Sequence, residues 1–188
     1  METRSTEDPL SVGRSNLAGA SVGEYAIFAG GYGSNDPVNA VEAFNKYLTK
    51  SVLTSLSNRR SDLSGASNDA YAVFVGGSDV NNDLLADVEG FNQSLTKYTG
   101  QAISRNTINL GCGSLNDFAV FAGGTTDSSD PSNAVQTYNI NLTRTIVSTP
   151  LSQARENPVG TAIGDYLLFV GGESESTNTS NVVDVYTI

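Results

Sequence analysis

The phrase EYAIFAGG at residues 24–31 returns as AYAVFVGG at 70–77, DFAVFAGG at 117–124 and DYLLFVGG at 165–172. Self-similarity at a fixed interval is the strongest constraint a sequence can place on its fold, because each copy has to be one supersecondary unit that stacks on its neighbours. The glycine pairs begin at Gly30, Gly76, Gly123 and Gly171, an interval of 46 to 48 residues, so four units span the 188 residues.

Each unit contains four short segments. The first is rich in small residues: LAGASVG from Leu17, LSGASND from Leu63, LGCGSLN from Leu110 and PVGTAIG from Pro158. The second is the repeated phrase. Tyr25, Ile27 and Ala29 fall on one face of a strand and Ala26 and Phe28 on the other, so both faces are apolar, as in stacked sheets. The third segment follows a polar loop and reads NAVEAFN from Asn39, ADVEGFN from Ala86, NAVQTYN from Asn133 and NVVDVYT from Asn181. Its alternation is that of a half-buried strand. The fourth opens on Leu48-Thr49-Lys50, Leu95-Thr96-Lys97 or Leu142-Thr143-Arg144 and runs to Leu56, Ile103 or Leu151 as a polar outer strand.

Four strands in about 45 residues is the period of a propeller blade, whereas helical repeats of this length would space apolar residues by three and four. The spacing predicts an all-β chain, a β-propeller of four four-stranded blades in one domain over 1–188. The units run approximately over 14–59, 60–106, 107–154 and 155–188 plus 1–13. Thr3-Arg4 precedes Leu10 as Thr49-Lys50 precedes Leu56, so the N-terminal segment is expected to complete the last blade and close the ring. Two chains lending that strand to each other would build eight blades instead.

Arginine some 16 residues before the glycine pair, the hydrophobic phrase, and an aromatic about 14 residues after it together resemble the kelch-type β-propeller repeat. The resemblance rests on Arg14, Gly30, Gly31 and Phe44; Arg60, Gly76, Gly77 and Phe91; Gly123, Gly124 and Tyr138; and Arg155, Gly171, Gly172 and Tyr186. The third unit departs from it with Thr107 at the arginine position and Arg105 two residues early, and the chain has no Trp, which kelch repeats carry on the fourth strand. The phrasing is similar to kelch-like repeat proteins of bacteria and their phages. For kelch adaptors the resemblance implies that arginines matching Arg14, Arg60 and Arg155 grip acidic peptides, since a guanidinium fork suits a carboxylate. The alternative for these side chains is pairing with nearby acids or backbone carbonyls, which fixes the junction between blades.

The loops after each glycine pair differ most among the units, and they carry Asp36, then Asp79, Asp83 and Asp87, then Asp127 and Asp130, then Glu173 and Glu175. Variable polar loops on a rigid frame are where binding specificity sits. Asp79-x-Asn81-x-Asp83 alternates oxygens as a calcium loop does, but Leu84 and Gly90 stand where an EF-hand needs Gly and Glu, so no metal is expected. The glycine pairs lack the context of a phosphate cradle and read as strand-ending turns.

Twenty acidic against ten basic residues give a net charge of −10, which opposes binding to nucleic acid or an anionic membrane. With no histidine, neither a Ser-His-Asp triad nor an ordinary zinc site can form, and no cofactor is expected. The lone Cys112 aligns with Gly19, Gly65 and Gly160 and reads as a small packed residue. No signal peptide or spanning segment is expected, which suits a cytoplasmic protein or a virion component. The expected function is non-enzymatic: a module presenting its loop face to a protein or glycan, on a phage particle or bacterial surface. A purely structural part of a larger particle is the alternative, and a sialidase-like hydrolase ranks last.

Overall fold

The computed structural model describes residues 6–127, 129–175 and 178–187. Every regular element among them is a strand, and all pairings are antiparallel. No helix long and apolar enough to cross a membrane occurs among them.

The first sheet is a meander of β1 (Ala18–Val22), β2 (Tyr25–Ala29), β3 (Val41–Asn45) and β4 (Lys50–Val52). The second repeats it with β5 (Ser64–Ser67), β6 (Tyr71–Val75), β7 (Val88–Asn92) and β8 (Lys97–Thr99). In the third unit β9 (Thr107–Ile108) and β12 (Thr125–Thr126) form a short ribbon beside the sheet of β10 (Gly111–Leu115), β11 (Phe118–Ala122), β13 (Val135–Tyr138) and β14 (Arg144–Ile146). The last sheet has three strands, β15 (Val159–Ile163), β16 (Tyr166–Val170) and β17 (Val183–Tyr186).

Local chemistry explains two of the repeated phrases. Before each Leu-Thr-basic triplet an Asn side chain accepts two backbone N–H groups: Asn45 Oδ1 takes those of Tyr47 and Thr49, and Asn92 and Asn139 do the same in their units. That cap forces Leu48, Leu95 and Leu142 to φ of 62°, 60° and 55°, a conformation costing roughly 1 kcal/mol or more for a residue with a Cβ. Leu142 offsets it by burying its side chain over Gly90 of the preceding sheet.

The glycine pair ends the second strand and fastens it to the next unit. Gly76 and Gly77 have φ of +66° and +106°, and the Gly77 N–H donates to Thr107 O at 3.0 Å. A Cβ on Gly76 would collide with that same carbonyl. Gly31 and Gly124 bond Arg60 O and Arg155 O in the same way, at 2.9 and 3.0 Å.

The sheets stack face on face through their first strands, β1 on β5, β5 on β10 and β10 on β15. The approach is close enough that a Cβ on Gly65 would lie 2.8 Å from Gly19 O, which is why these segments are built of Gly, Ala, Ser and Cys112. In the second and third sheets one face meets the sheet before and the other the sheet after. Ile27, Ala29, Val41 and Ala43 pack against Ala72, Phe74 and Phe91; Val73, Val75 and Val88 against Phe121 and Tyr138; Val120, Ala122 and Val135 against Leu167 and Phe169. Leu56, Ile103 and Leu151, at the ends of the fourth segments, seal the three joints.

The expected closed ring is not formed by the described residues. Phe28 and Phe44 stay half-buried on the first sheet, while Phe74, Phe91, Phe121, Tyr138 and Phe169, at matching places, are fully buried. On the last sheet Val159, Ile163, Tyr166, Val170, Val183 and Val185 are exposed. Pro9 and Ser11 instead lie along the first sheet, Lys50 Nζ donating to Pro9 O and the Ser11 N–H to Glu42 Oε1, as Ser55 and Ser57 do on the second. Residues 6–13 form no strand beside β17, and Thr3-Arg4 lies outside the described residues.

Candidate functional site

The arginines that the sequence singles out are buried against the third strands of their own units, Arg60 and Arg155 within joints and Arg14 at the open first sheet. Arg14 Nη1 donates to Glu42 Oε2 at 2.8 Å, Arg60 Nη2 to Glu89 Oε2 at 2.9 Å and Arg155 Nη2 to Asp184 Oδ2 at 2.7 Å, each arginine side chain being fully buried. The acids come from the third strand of the same unit, where the alternation turns them towards the linker. Arg60 also donates through Nη1 to Gly76 O and Asp87 O, and Arg155 through Nη2 to Phe169 O. These guanidinium forks hold the linker to the sheet and present no N–H groups to solvent.

Burial alone would raise the Glu42 carboxyl, but the N–H and hydroxyl of Ser11 and the Arg14 guanidinium hold it below the ordinary carboxylate value. Burial likewise opposes ionisation of Glu89, and Arg60, Ser57 and Lys97 outweigh it. In the third unit Thr107 replaces the arginine and Gln136 the acid, and Gln136 Oε1 still accepts the linker N–H of Ser104 at 2.8 Å. A cavity of about 240 Å³ opens there, lined among others by Thr107, Gly123, Ala134 and Gln136.

The acidic loops lie on the side where linkers and glycine pairs meet, and their side chains differ in what they can do. Asp79 is committed to its own loop, with Oδ1 accepting the N–H groups of Asn81 and Asp83 at 2.8 and 3.0 Å, so the alternating oxygens form an Asx turn. Asp36, Asp83, Asp127, Asp130, Glu173 and Glu175 are exposed, and Asp87 accepts from Asn58 Nδ2 at its rim. Among the described residues no three His, Cys, Asp or Glu side chains gather as metal ligands.

Two of these carboxylates come together. Asp130 of the third unit and Glu175 of the fourth line one cleft of about 460 Å³, with Pro131, Gln153, Ala154 and Ser174. Gln153 is fixed there by Ser174 Oγ and Ser180 Oγ at 3.2 and 2.7 Å. Asp36 lies on a separate cleft of about 350 Å³ beside Arg59 and Val12.

One cluster escaped sequence reasoning. Asn16, Asp62, Asn109 and Asn157, each two residues after the arginine or Thr107 position, all have positive φ. Their backbones form a ladder across the joints: Asp62 N–H to Asn16 O, Asn109 N–H to Asp62 O, Asn157 N–H to Asn109 O. They line a hollow of about 290 Å³ where the first strands converge. The signal was an Asn or Asp at a constant offset, legible only once the left-handed backbone gives it a reason. Cys112 is half-buried on β10, and burial pushes its thiol up, away from the reactive thiolate.

No protein-family model matches the chain, and no curated protein matches it in sequence.

Proposed function

We propose that the chain is a kelch-like β-propeller scaffold that works as a non-enzymatic binding module, engaging a protein or glycan through its divergent loops. The observation that carries this reading is the division of labour among its charges. Arginines with buried forks brace the joints, while most acids of the variable loops are exposed, and two of them, Asp130 and Glu175, line the cleft between the third and fourth units. Carboxylates beside Gln153 and Ser174 offer acceptors and donors suited to sugar hydroxyls or to the basic and amide side chains of a protein. Arg14, Arg60 and Arg155 act in this reading through the frame.

A glycan array and a host-surface binding assay test it. Asp130→Ala with Glu175→Ala is expected to abolish a signal given by the native chain while leaving its melting temperature within about 2 °C, as exposed substitutions do. An unchanged signal contradicts the assignment of the cleft. A second reading, a structural part of a larger particle of phage or bacterial origin, is favoured by the uncovered apolar faces at the two ends of the stack.

A further inference from the structure

The first and last sheets each expose the face that their counterparts bury. On the last sheet Val159, Ile163, Tyr166 and Leu168 occupy the positions by which Ala18, Val22, Tyr25 and Ile27 pack on the second sheet. The first sheet offers Gly19, Ala26, Phe28 and Phe44, which match Gly65, Ala72, Phe74 and Phe91, the set those residues cover. The molecule thus contains three worked examples of one joint and the two unmated halves of a fourth.

Gly19 supplies a separate indication. Gly65 has to be glycine because the preceding strand crosses it, and Gly160 stands the same way against Cys112 O. Around Gly19 a Cβ would meet only Phe28 and Ile27 of its own sheet. A small residue is therefore kept where no strand of another sheet crosses it and only the ring of its own Phe28 comes close, at 3.3 Å. The backbone ladder through Asn16, Asp62, Asn109 and Asn157 likewise runs from an Asn16 N–H to an Asn157 carbonyl, the donor and acceptor of one further rung.

We propose that the last sheet of one copy of this chain packs on the first sheet of a second copy, and the reverse, so that two copies form one closed ring of eight sheets. The contact is head to tail, and two such contacts related by a twofold axis close without leaving an open face. The occupant is a second copy because the geometry each face needs is that of a sheet of this repeat, down to the glycine, and the chain's own two faces are not in contact. This deepens the propeller reading and rests on it.

Ile163 aligns with Val22, which shares a core with Ala72, so Ile163 is expected to face Ala26 of the other copy. Both are exposed, so charges placed there should leave the isolated chain folded. By sedimentation equilibrium the native chain should have twice the 19.6 kDa of one copy. Ile163→Lys alone and Ala26→Glu alone should each sediment as one copy, and an equimolar mixture should return to two. In the mixture one joint is native and the other pairs Lys with Glu.

A native mass of one copy overturns the proposal. So does a mass of two copies that Ile163→Lys leaves unchanged or that mixing fails to restore, since the contact then uses other surfaces, and so does an open series of larger species. A one-copy chain that still binds through Asp130 and Glu175 would break the pairing and spare the proposed function. A two-copy ring without binding would do the opposite.

Discussion

The second and third units of the stack do the same work with different chemistry. In the second, Arg60 is wholly buried and bonds Glu89, Gly76 O and Asp87 O, while Glu89 Oε1 accepts the Ser57 N–H, the Ser57 hydroxyl and Lys97 Nζ. In the third, Thr107 bonds only Arg105 O by its hydroxyl and Gln136 takes the Ser104 N–H, with a cavity of about 240 Å³ nearby. All four units share the bond from a linker serine N–H to a side-chain oxygen on the third strand: Ser11 to Glu42, Ser57 to Glu89, Ser104 to Gln136 and Ser152 to Asp184. The acceptor is thus what the frame requires, and the ion pair is optional provided that cation and anion leave together. Arg60 Nε has no partner among the described residues, so the buried pair is itself imperfectly satisfied, which makes neutral replacement inexpensive.

The largest expected effect follows from breaking one pair by half. Arg60→Ala should destabilise by about 3 kcal/mol, because Glu89 would be left buried with only the partly exposed Lys97 as counter-charge. Thr107→Ala, at the matching position, should cost about 1 kcal/mol. Urea denaturation of the two variants measures the contrast, and equal losses would break the comparison.

Building the pair into the third unit should be smaller and non-additive. Gln136→Glu alone buries a carboxylate without a cation and should cost about 2 kcal/mol, while Thr107→Arg added to it should recover at least half as the guanidinium fills the cavity. A double-mutant cycle reads the coupling, and simple additivity would show that the cavity does not accept the side chain.

The smallest effect is in the pH dependence. Glu42 and Glu89 have folded values below 4.5, so the stability they confer is complete above the unfolded value and is lost as pH falls from there through their folded values. Native stability should therefore decline below about pH 4.5, and Glu89→Gln, though less stable near neutrality, should show a shallower decline. Chemical denaturation between pH 3 and pH 7 measures both slopes. The neutral third unit contributes nothing to this slope; Gln136→Glu alone, a buried carboxylate without a cation, should flatten the decline, and adding Thr107→Arg should reverse that change.

Much of this frame was legible in the residues. The period, the four segments, the small-residue first strand and the double-faced second strand all follow from apolar alternation, which is a local signal. The glycine turns were legible too, because two adjacent left-handed residues leave few other choices. The open ends were not, since Phe28 and Ile163 carry the same apolar signature as their buried equivalents, and only the arrangement of whole sheets decides which faces meet. The arginines were ambiguous for a related reason. A sequence places Arg60 and Glu89 in the same unit without saying that the side chain turns inward to meet its acid. Among the acids, Asp130 and Glu175 are 45 positions apart, and their meeting depends on how two units stack.

The arginines divide into internal struts and surface residues, and modification by phenylglyoxal under native conditions with mass-spectrometric mapping tests that division most directly. Arg59 and Arg105 are exposed and should react first, while Arg14, Arg60 and Arg155 should react only when the protein is unfolded. Modification of Arg60 or Arg155 in the native protein at the rate of Arg59 would contradict it.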